Sequence, residues 1–268
     1  MRFFRRILVL SFLTIVTVLA VNYYLSDEQP SVNVPSQKIS TEKNISFAVI
    51  SDIHSDYQNL EKVLDKIKND KMDFVIIAGD LTTIGSLGEF KKVKEILDKS
   101  DLTYYAIPGN HDYYGKIKMA NPYKEVFGSS YETFQINKVK FILVDNAGSL
   151  DQTQSDWIDR QIVDCPKIYC FVFAHMPLNH EYLKHVMGED NPDIKGQADL
   201  LVKKLVEFKV QKLYAGHVHY LSDYELEGLK TYTDGAVYTN KNTTPSRFLE
   251  VTVSQPDYKL EEQEVWIE

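Results

Sequence analysis

Five short apolar runs in this chain break off at a carboxylate, an imidazole or a carboxamide, and that repetition restricts the fold more than any other feature. The plainest is Phe74-Val75-Ile76-Ile77-Ala78-Gly79-Asp80. Its successive β-branched residues read as a buried strand, the glycine permits a sharp turn, and the aspartate is left at the strand's C-terminal end. Ile50-Ser51-Asp52-Ile53-His54, Gly109-Asn110-His111-Asp112, Phe173-Ala174-His175 and Gly216-His217-Val218-His219 follow the same plan. Open α/β sheets place their chemistry at such strand ends.

Between these runs the apolar periodicity alternates. A strand over residues 45–51 precedes a helix with Leu60, Val63, Leu64 and Ile67 on one face. The Phe74 strand, a lysine-rich helix with Phe90, Val93, Ile96 and Leu97 inward, and a strand over 102–107 complete a βαβαβ order, which implies a parallel sheet. Residues 131–136 and 139–145 read as a hairpin, 150–163 as a helix and 168–174 as a strand. An irregular polar stretch over 176–194 follows, then a helix over 198–208, a strand over 211–215, and short strands including 248–253 and 258–267. The second half is expected to form a second sheet packed on the first. The predicted fold is α/β: two mixed β-sheets packed as a sandwich flanked by helices, in one catalytic domain over 44–268.

The N-terminus has a different character. Three arginines within Met1-Arg2-Phe3-Phe4-Arg5-Arg6 precede an uncharged apolar run over 7–25. That asymmetry predicts an export signal with the following chain outside the cytoplasm. The run is long enough to serve as an uncleaved membrane anchor, our preferred reading; Val18-Leu19-Ala20 offers a cleavage point for the alternative, a secreted chain. Residues 26–43, polar and holding Pro30 and Pro35, read as a linker. Asn44-Ile45-Ser46 and Asn242-Thr243-Thr244 match a glycosylation sequon that matters only in a eukaryotic secretory pathway. Cys165 and Cys170 would lie about 16 Å apart in an extended segment, so both read as small core residues; a turn at Pro166 would permit a bridge.

A formal net charge of −8 argues against a nucleic-acid-binding surface. An anionic substrate would need local positive charge, which metal ions supply without adding Lys or Arg. The strand ends offer oxygen and imidazole ligands and no thiolate, a set suited to Mn²⁺, Fe²⁺ or Zn²⁺ in a hydrolytic site. Seven candidate ligands among these strand ends are too many for one ion. Two ions about 3.5–4 Å apart, sharing a carboxylate, would use them all.

Asp52-x-His54, Gly79-Asp80, Gly109-Asn110-His111-Asp112, His175 and Gly216-His217-x-His219 together resemble the five-part signature of the calcineurin-like metallophosphoesterases, in the family's order, over residues 45–219. Gln154-x-x-Trp157-Ile158 is similar to a helix of the bacterial cyclic-nucleotide phosphodiesterase branch. The resemblance implies an α/β/β/α metallophosphoesterase fold and two divalent metal ions. Asp52, His54 and His219 would bind one ion, Asn110, His175 and His217 the other, and Asp80 both. His111 would protonate the leaving oxygen or stabilise its developing charge, with Asp112 orienting its ring. Two divalent ions, less the Asp52 and Asp80 carboxylates and a bridging hydroxide, leave about one positive charge for a phosphate oxygen; the hydroxide would attack phosphorus in line. Thr83 stands where purple acid phosphatases would carry a metal-binding tyrosine. The purified protein is therefore expected to show no visible charge-transfer band.

The expected activity is hydrolysis of a small phosphate ester, with phosphodiesters favoured. The alternatives are a phosphomonoesterase or protein phosphatase, and a catalytically silent tethered binding module. His180 and His185, outside any motif, read as solvated loop residues, and Tyr57, Tyr113 and Tyr114, beside ligand motifs, as packing residues.

Overall fold

The computed structural model describes residues 43–113, 121–239 and 245–267. The segments expected to be an anchor and a linker, up to residue 42, together with the Asn242 sequon and Tyr114, lie outside the described residues. Among the described residues, no helix is long and apolar enough to cross a membrane.

The first sheet has the order β11-β10-β1-β2-β3, with β1 (Ile45–Ile50), β2 (Phe74–Ala78) and β3 (Tyr104–Ile107) parallel, β10 (Arg247–Ser254) antiparallel to β1, and β11 (Lys259–Trp266) antiparallel to β10. The second has the order β4-β5-β6-β7-β9-β8. Here β5 (Val139–Val144), β6 (Tyr169–Ala174), β7 (Lys212–Ala215) and β9 (Leu229–Thr233) are parallel, flanked by antiparallel β4 (Glu132–Ile136) and β8 (Ser222–Leu226). The sheets are mixed, as expected. The final hairpin departs from expectation: β10 and β11 return to the first sheet instead of extending the second.

Strand alternation accounts for the layers. Ile45, Phe47 and Val49 of β1 and Phe74, Ile76 and Ala78 of β2 enter a core shared with Phe141, Phe171, Phe173 and Tyr214 of the other sheet. Ala48, Ile50, Val75 and Ile77 face the opposite way, onto α1 (Tyr57–Asn69) and α2 (Leu87–Lys99). Both faces are buried, so these strands read as continuous apolar runs. Phe47 sits at the centre, its ring 5.3 Å from those of Phe74 and Phe141. The second sheet packs its outer face on α4 (Gln152–Ile162) and α5 (Pro192–Glu207), while the short α3 (Pro122–Phe127) joins α1 and α2 on the first.

The inward residues of α1 and α2 are those the periodicity predicts. α2 starts with a capping box, Ser86 and Glu89 each bonding the other's backbone N–H. α5 begins earlier than expected because Asn191 caps it and Pro192 occupies its first turn. The cysteines require a correction: Cys165 and Cys170 form a disulfide. A 3-10 turn over Cys165–Lys167 folds the segment back, so their Cα atoms lie 5.4 Å apart, and both remain buried.

Candidate metal centre

All five motif-bearing strands end on the same side of the molecule, and their loops are bonded to one another. The chain after β1 zips onto the chain after β2, with Asp52 N donating to Gly79 O and His54 N to Asp80 O, both at 3.0 Å. Gly79 is needed twice over: its φ is +92°, and a side chain there would strike the His175 ring. At Gly109 a side chain would strike Asp80. Asp52, His54, Asp80, His217 and His219 themselves occupy the left-handed region, with φ between 46° and 70°. Such conformations are costly outside glycine and persist where the surroundings over-determine them.

The loops bring the seven predicted ligands together. Asp52, His54 and His219 form one cluster whose ligand atoms lie within 4.8 Å of one another, and Asp80, His175 and His217 form a second. Asp80 Oδ2 stands between them, 3.5 Å from His54 Nε2 and 3.3 Å from His175 Nε2. Asn110 Oδ1 joins the second cluster, 3.0 Å from His175 Nε2. His54 Nε2 and His219 Nε2 are 3.2 Å apart, converging on one point in the first.

A cation fits this arrangement. Asp52 Oδ2 accepts from Ser51 Oγ at 2.6 Å and from His217 N at 2.9 Å, whereas its buried Oδ1 faces His219 Nε2 at 3.2 Å and meets no backbone or hydroxyl donor. A buried carboxylate oxygen without such donors is stabilised when something positive, a protonated ring or a cation, meets it. The electrostatics agree. Burial alone favours a neutral His175, but the carboxylate of Asp80, with Asp52 and the Ala78 carbonyl, lifts it to about 9. His217 is lowered to about 4 by burial and by the charge of His175. With no ion bound, the two carboxylates draw a proton onto the most buried ring.

His111 stands beside His54 and Asp80, the ligand atoms of the three lying within 4.8 Å of one another. Its ring packs edge-on against His54 at 4.6 Å, and its Nδ1 meets Thr83 O at 2.9 Å. A nitrogen facing a carbonyl carries a proton, which sets the tautomer. The role expected of Asp112 is corrected. Its carboxylate accepts the N–H groups of Leu81, Thr82 and Gly109 and the Thr82 hydroxyl, pinning the loops after β2 and β3 together; Thr83 O holds the His111 ring. Burial, reinforced by the Asp80 charge, raises the Asp112 carboxyl to about 7 against these donors.

His185 is exposed, as expected, with its ring 6.1 Å from that of His217. His180 departs from a solvated role: its Nδ1 accepts the N–H groups of Tyr182 and Leu183 and its ring packs on Tyr224. Tyr57 packs against the core of the first sheet, while Tyr113 donates to Asp145 Oδ2 at 2.6 Å. Sequence reasoning missed Tyr238, whose ring lies 5.3 Å from that of His54 and whose N–H donates to Asp52 O. It also missed Asn146, bonded to the backbone of His175. An apolar run ending in Asp145-Asn146 was the available signal.

Known proteins share this plan. A probable glycerophosphodiester phosphodiesterase, GpdQ, of Arcobacter nitrofigilis is 29% identical over 71% of this chain and 72% of its own length. A probable cyclic nucleotide phosphodiesterase of Vesicomyosocius okutanii is 24% identical over 70% of this chain and 84% of its own. Among solved structures, GAP50, the anchor in the inner membrane complex of Plasmodium, superposes with a TM-score of 0.61 over 84% of this chain and 85% of its own; at 14% identity this likeness concerns the fold alone. The family model for the calcineurin-like phosphoesterases matches residues 45–221, the stretch that carries all five strand-end motifs. The chain belongs to the calcineurin-like phosphoesterase family.

Proposed function

We propose that the domain hydrolyses phosphodiesters with two divalent metal ions, Mn²⁺, Fe²⁺ or Zn²⁺. The observation that carries this reading is Asp80 Oδ2, within 3.5 Å of a ligand nitrogen from each cluster. Asp52, His54 and His219 would hold one ion, Asn110, His175 and His217 the other, and Asp80 both. Bound there, the ions would supply Lewis acidity and a water of lowered pKa.

The protein's own groups divide the remaining work. Ser51 and the His217 N–H fix Asp52 Oδ2, so that Oδ1 faces its cluster. With Nδ1 of His111 committed to the Thr83 carbonyl, the proton for a departing alkoxide would come from Nε2. Neutral Asn110, in place of a third carboxylate, preserves positive charge for a phosphate oxygen. The phosphodiesterase names of the similar proteins support a diester substrate.

The domain is further proposed to work outside the cytoplasm, tethered by residues 1–25. The arginine-flanked apolar run supports this, and so does the Cys165–Cys170 disulfide, a bond rare in reducing cytosol. Protease added to intact cells should digest the domain; full protection would overturn the placement.

The activity is tested by stripping metal with a chelator, restoring Mn²⁺, Fe²⁺ or Zn²⁺ in turn, and comparing a chromogenic diester with a monoester. Metal-dependent turnover favouring the diester is expected. Turnover of neither would identify a silent binding module. His111→Ala should lower turnover by about 10²–10⁴-fold with two metals still bound; loss of metal would overturn its role.

A further inference from the structure

Beside the ligand-bearing strands, β5 ends in Asp145-Asn146, and these two polar residues supply no metal ligand. Strand β5 runs parallel to β6 with Val144 opposite Ala174, which sets Asn146 beside the His175 peptide. The Asn146 side chain is fully buried. Its Oδ1 accepts the N–H groups of His175 at 2.8 Å and Met176 at 3.0 Å, and its Nδ2 donates to Met176 O at 2.7 Å. With His175 Nδ1 against Ala78 O at 2.9 Å, the histidine is fixed at its backbone by one strand end and at its ring by another.

Asp145 reaches the other side of the site. Its Oδ2 accepts the Tyr113 phenol at 2.6 Å, and Tyr113 closes the 3-10 turn His111–Tyr113. That turn is therefore held at both ends, because His111 N donates to Asp80 Oδ1 at 2.8 Å. Gln154, buried in the first turn of α4, donates its Nε2 to Asp145 O at 2.7 Å and so clamps the end of β5. This gives the Gln154-x-x-Trp157 pattern, which the metal site leaves without a task, a physical role.

We propose that Asp145 and Asn146, clamped by Gln154, are positioning residues that hold the two working parts of the site separately: Asn146 sets His175 as a metal ligand, and Asp145 sets the turn carrying His111 through Tyr113. The proposal rests on the phosphodiesterase reading for the His111 arm and on metal binding alone for the His175 arm. Hydrogen bonds that orient a ligating histidine are worth about 10–100-fold in metal affinity. The two arms should therefore fail in different ways.

The test uses the full chain, stripped by chelator and titrated with Mn²⁺ by calorimetry, alongside turnover of a chromogenic diester. Asn146→Ala should weaken one of the two Mn²⁺ sites by about tenfold or more, while kcat at saturating Mn²⁺ falls less than about threefold. Tyr113→Phe should keep both Mn²⁺ affinities within about twofold and lower kcat by about tenfold. Gln154→Met should show both effects, each smaller. Equal signatures in all three variants, or lowered thermal stability with Mn²⁺ affinity and kcat unchanged, would overturn the proposal. If Asn146→Ala does not fold, Gln154→Met decides, since normal Mn²⁺ affinity and normal kcat in that variant have the same consequence. A wild-type chain that binds Mn²⁺ but turns over no ester fails the phosphodiesterase reading instead; the Mn²⁺ affinity of Asn146→Ala then still decides the His175 arm.

Discussion

The cluster of Asp52, His54 and His219 and that of Asp80, His175 and His217 are assembled from the same kinds of side chain, yet they differ in how firmly each is held. His175 is fully buried, its ring bonded to Ala78 O and its backbone to Asn146. In the first cluster His219 keeps 28% of its side chain exposed, and His54 is packed by the rings of His111, His219 and Tyr238. A pre-organised, water-excluding set of ligands binds an ion more tightly than one whose histidine stays partly exposed to water. The deeper cluster should hold its ion, and the shallower should exchange it.

Substitution of Asp80 should erase the contrast altogether. Asp80→Ala is expected to reduce bound metal from two ions to fewer than one and to lower turnover by more than about a hundredfold, read by elemental analysis and by rate. Retention of both ions at wild-type affinity would show that the clusters do not share this carboxylate. The next largest effect separates them. His175→Ala should abolish the tight phase of a Mn²⁺ titration and His54→Ala the weak one; the reverse assignment would break the comparison.

Proton binding sharpens it further. His175 is raised from its ordinary 6.5 to about 9, so in metal-free protein its contribution to stability is fully present below pH 6.5 and lost as pH rises through 9. Denaturant unfolding of the stripped protein should show a loss of up to about 3 kcal/mol across that window, absent from His175→Ala. With Mn²⁺ present the trend should reverse, because the proton and the ion compete for the same ring. A flat profile in stripped wild type would mean that the deep cluster does not draw a proton.

The smallest effect is expected far from the ions. Replacing both Cys165 and Cys170 by Ser should cost about 2 kcal/mol of stability, given the short loop they close, and leave both Mn²⁺ affinities unchanged. A change in the deep site alone would extend its support down β6 to the disulfide.

These contrasts also mark what could be read in the sequence. The strand ends were legible because each ligand motif directly follows an apolar run, and the inward faces of α1 and α2 because helical periodicity is local. The disulfide was not, since its geometry depends on whether the chain turns at Pro166. Nor was the return of β10 to the first sheet, because pairing between distant segments leaves no local trace. Asp112 was misread for a related reason: adjacency to His111 suggested a ring partner, but the side chain turns inward to backbone N–H groups left over at two loop ends. His54 and His219 stood out in the sequence as candidate ligands, but their left-handed backbone did not, because only the assembled loops impose it.

The pairing of β1 with β10 bears on when the site comes into being. Ser46 and Thr252, which touch through their hydroxyls, are 206 positions apart. The strand that carries Asp52 and His54 is among the first to be synthesised, and it must wait for β10 before it is enclosed on both edges. Val237 and Tyr238, whose N–H groups cap Ser51 O and Asp52 O, also arrive late. A nascent chain therefore lacks a finished receptor for ions until almost the whole domain has emerged, and the compartment in which folding ends, with its own stock of metals, decides which ions the site receives.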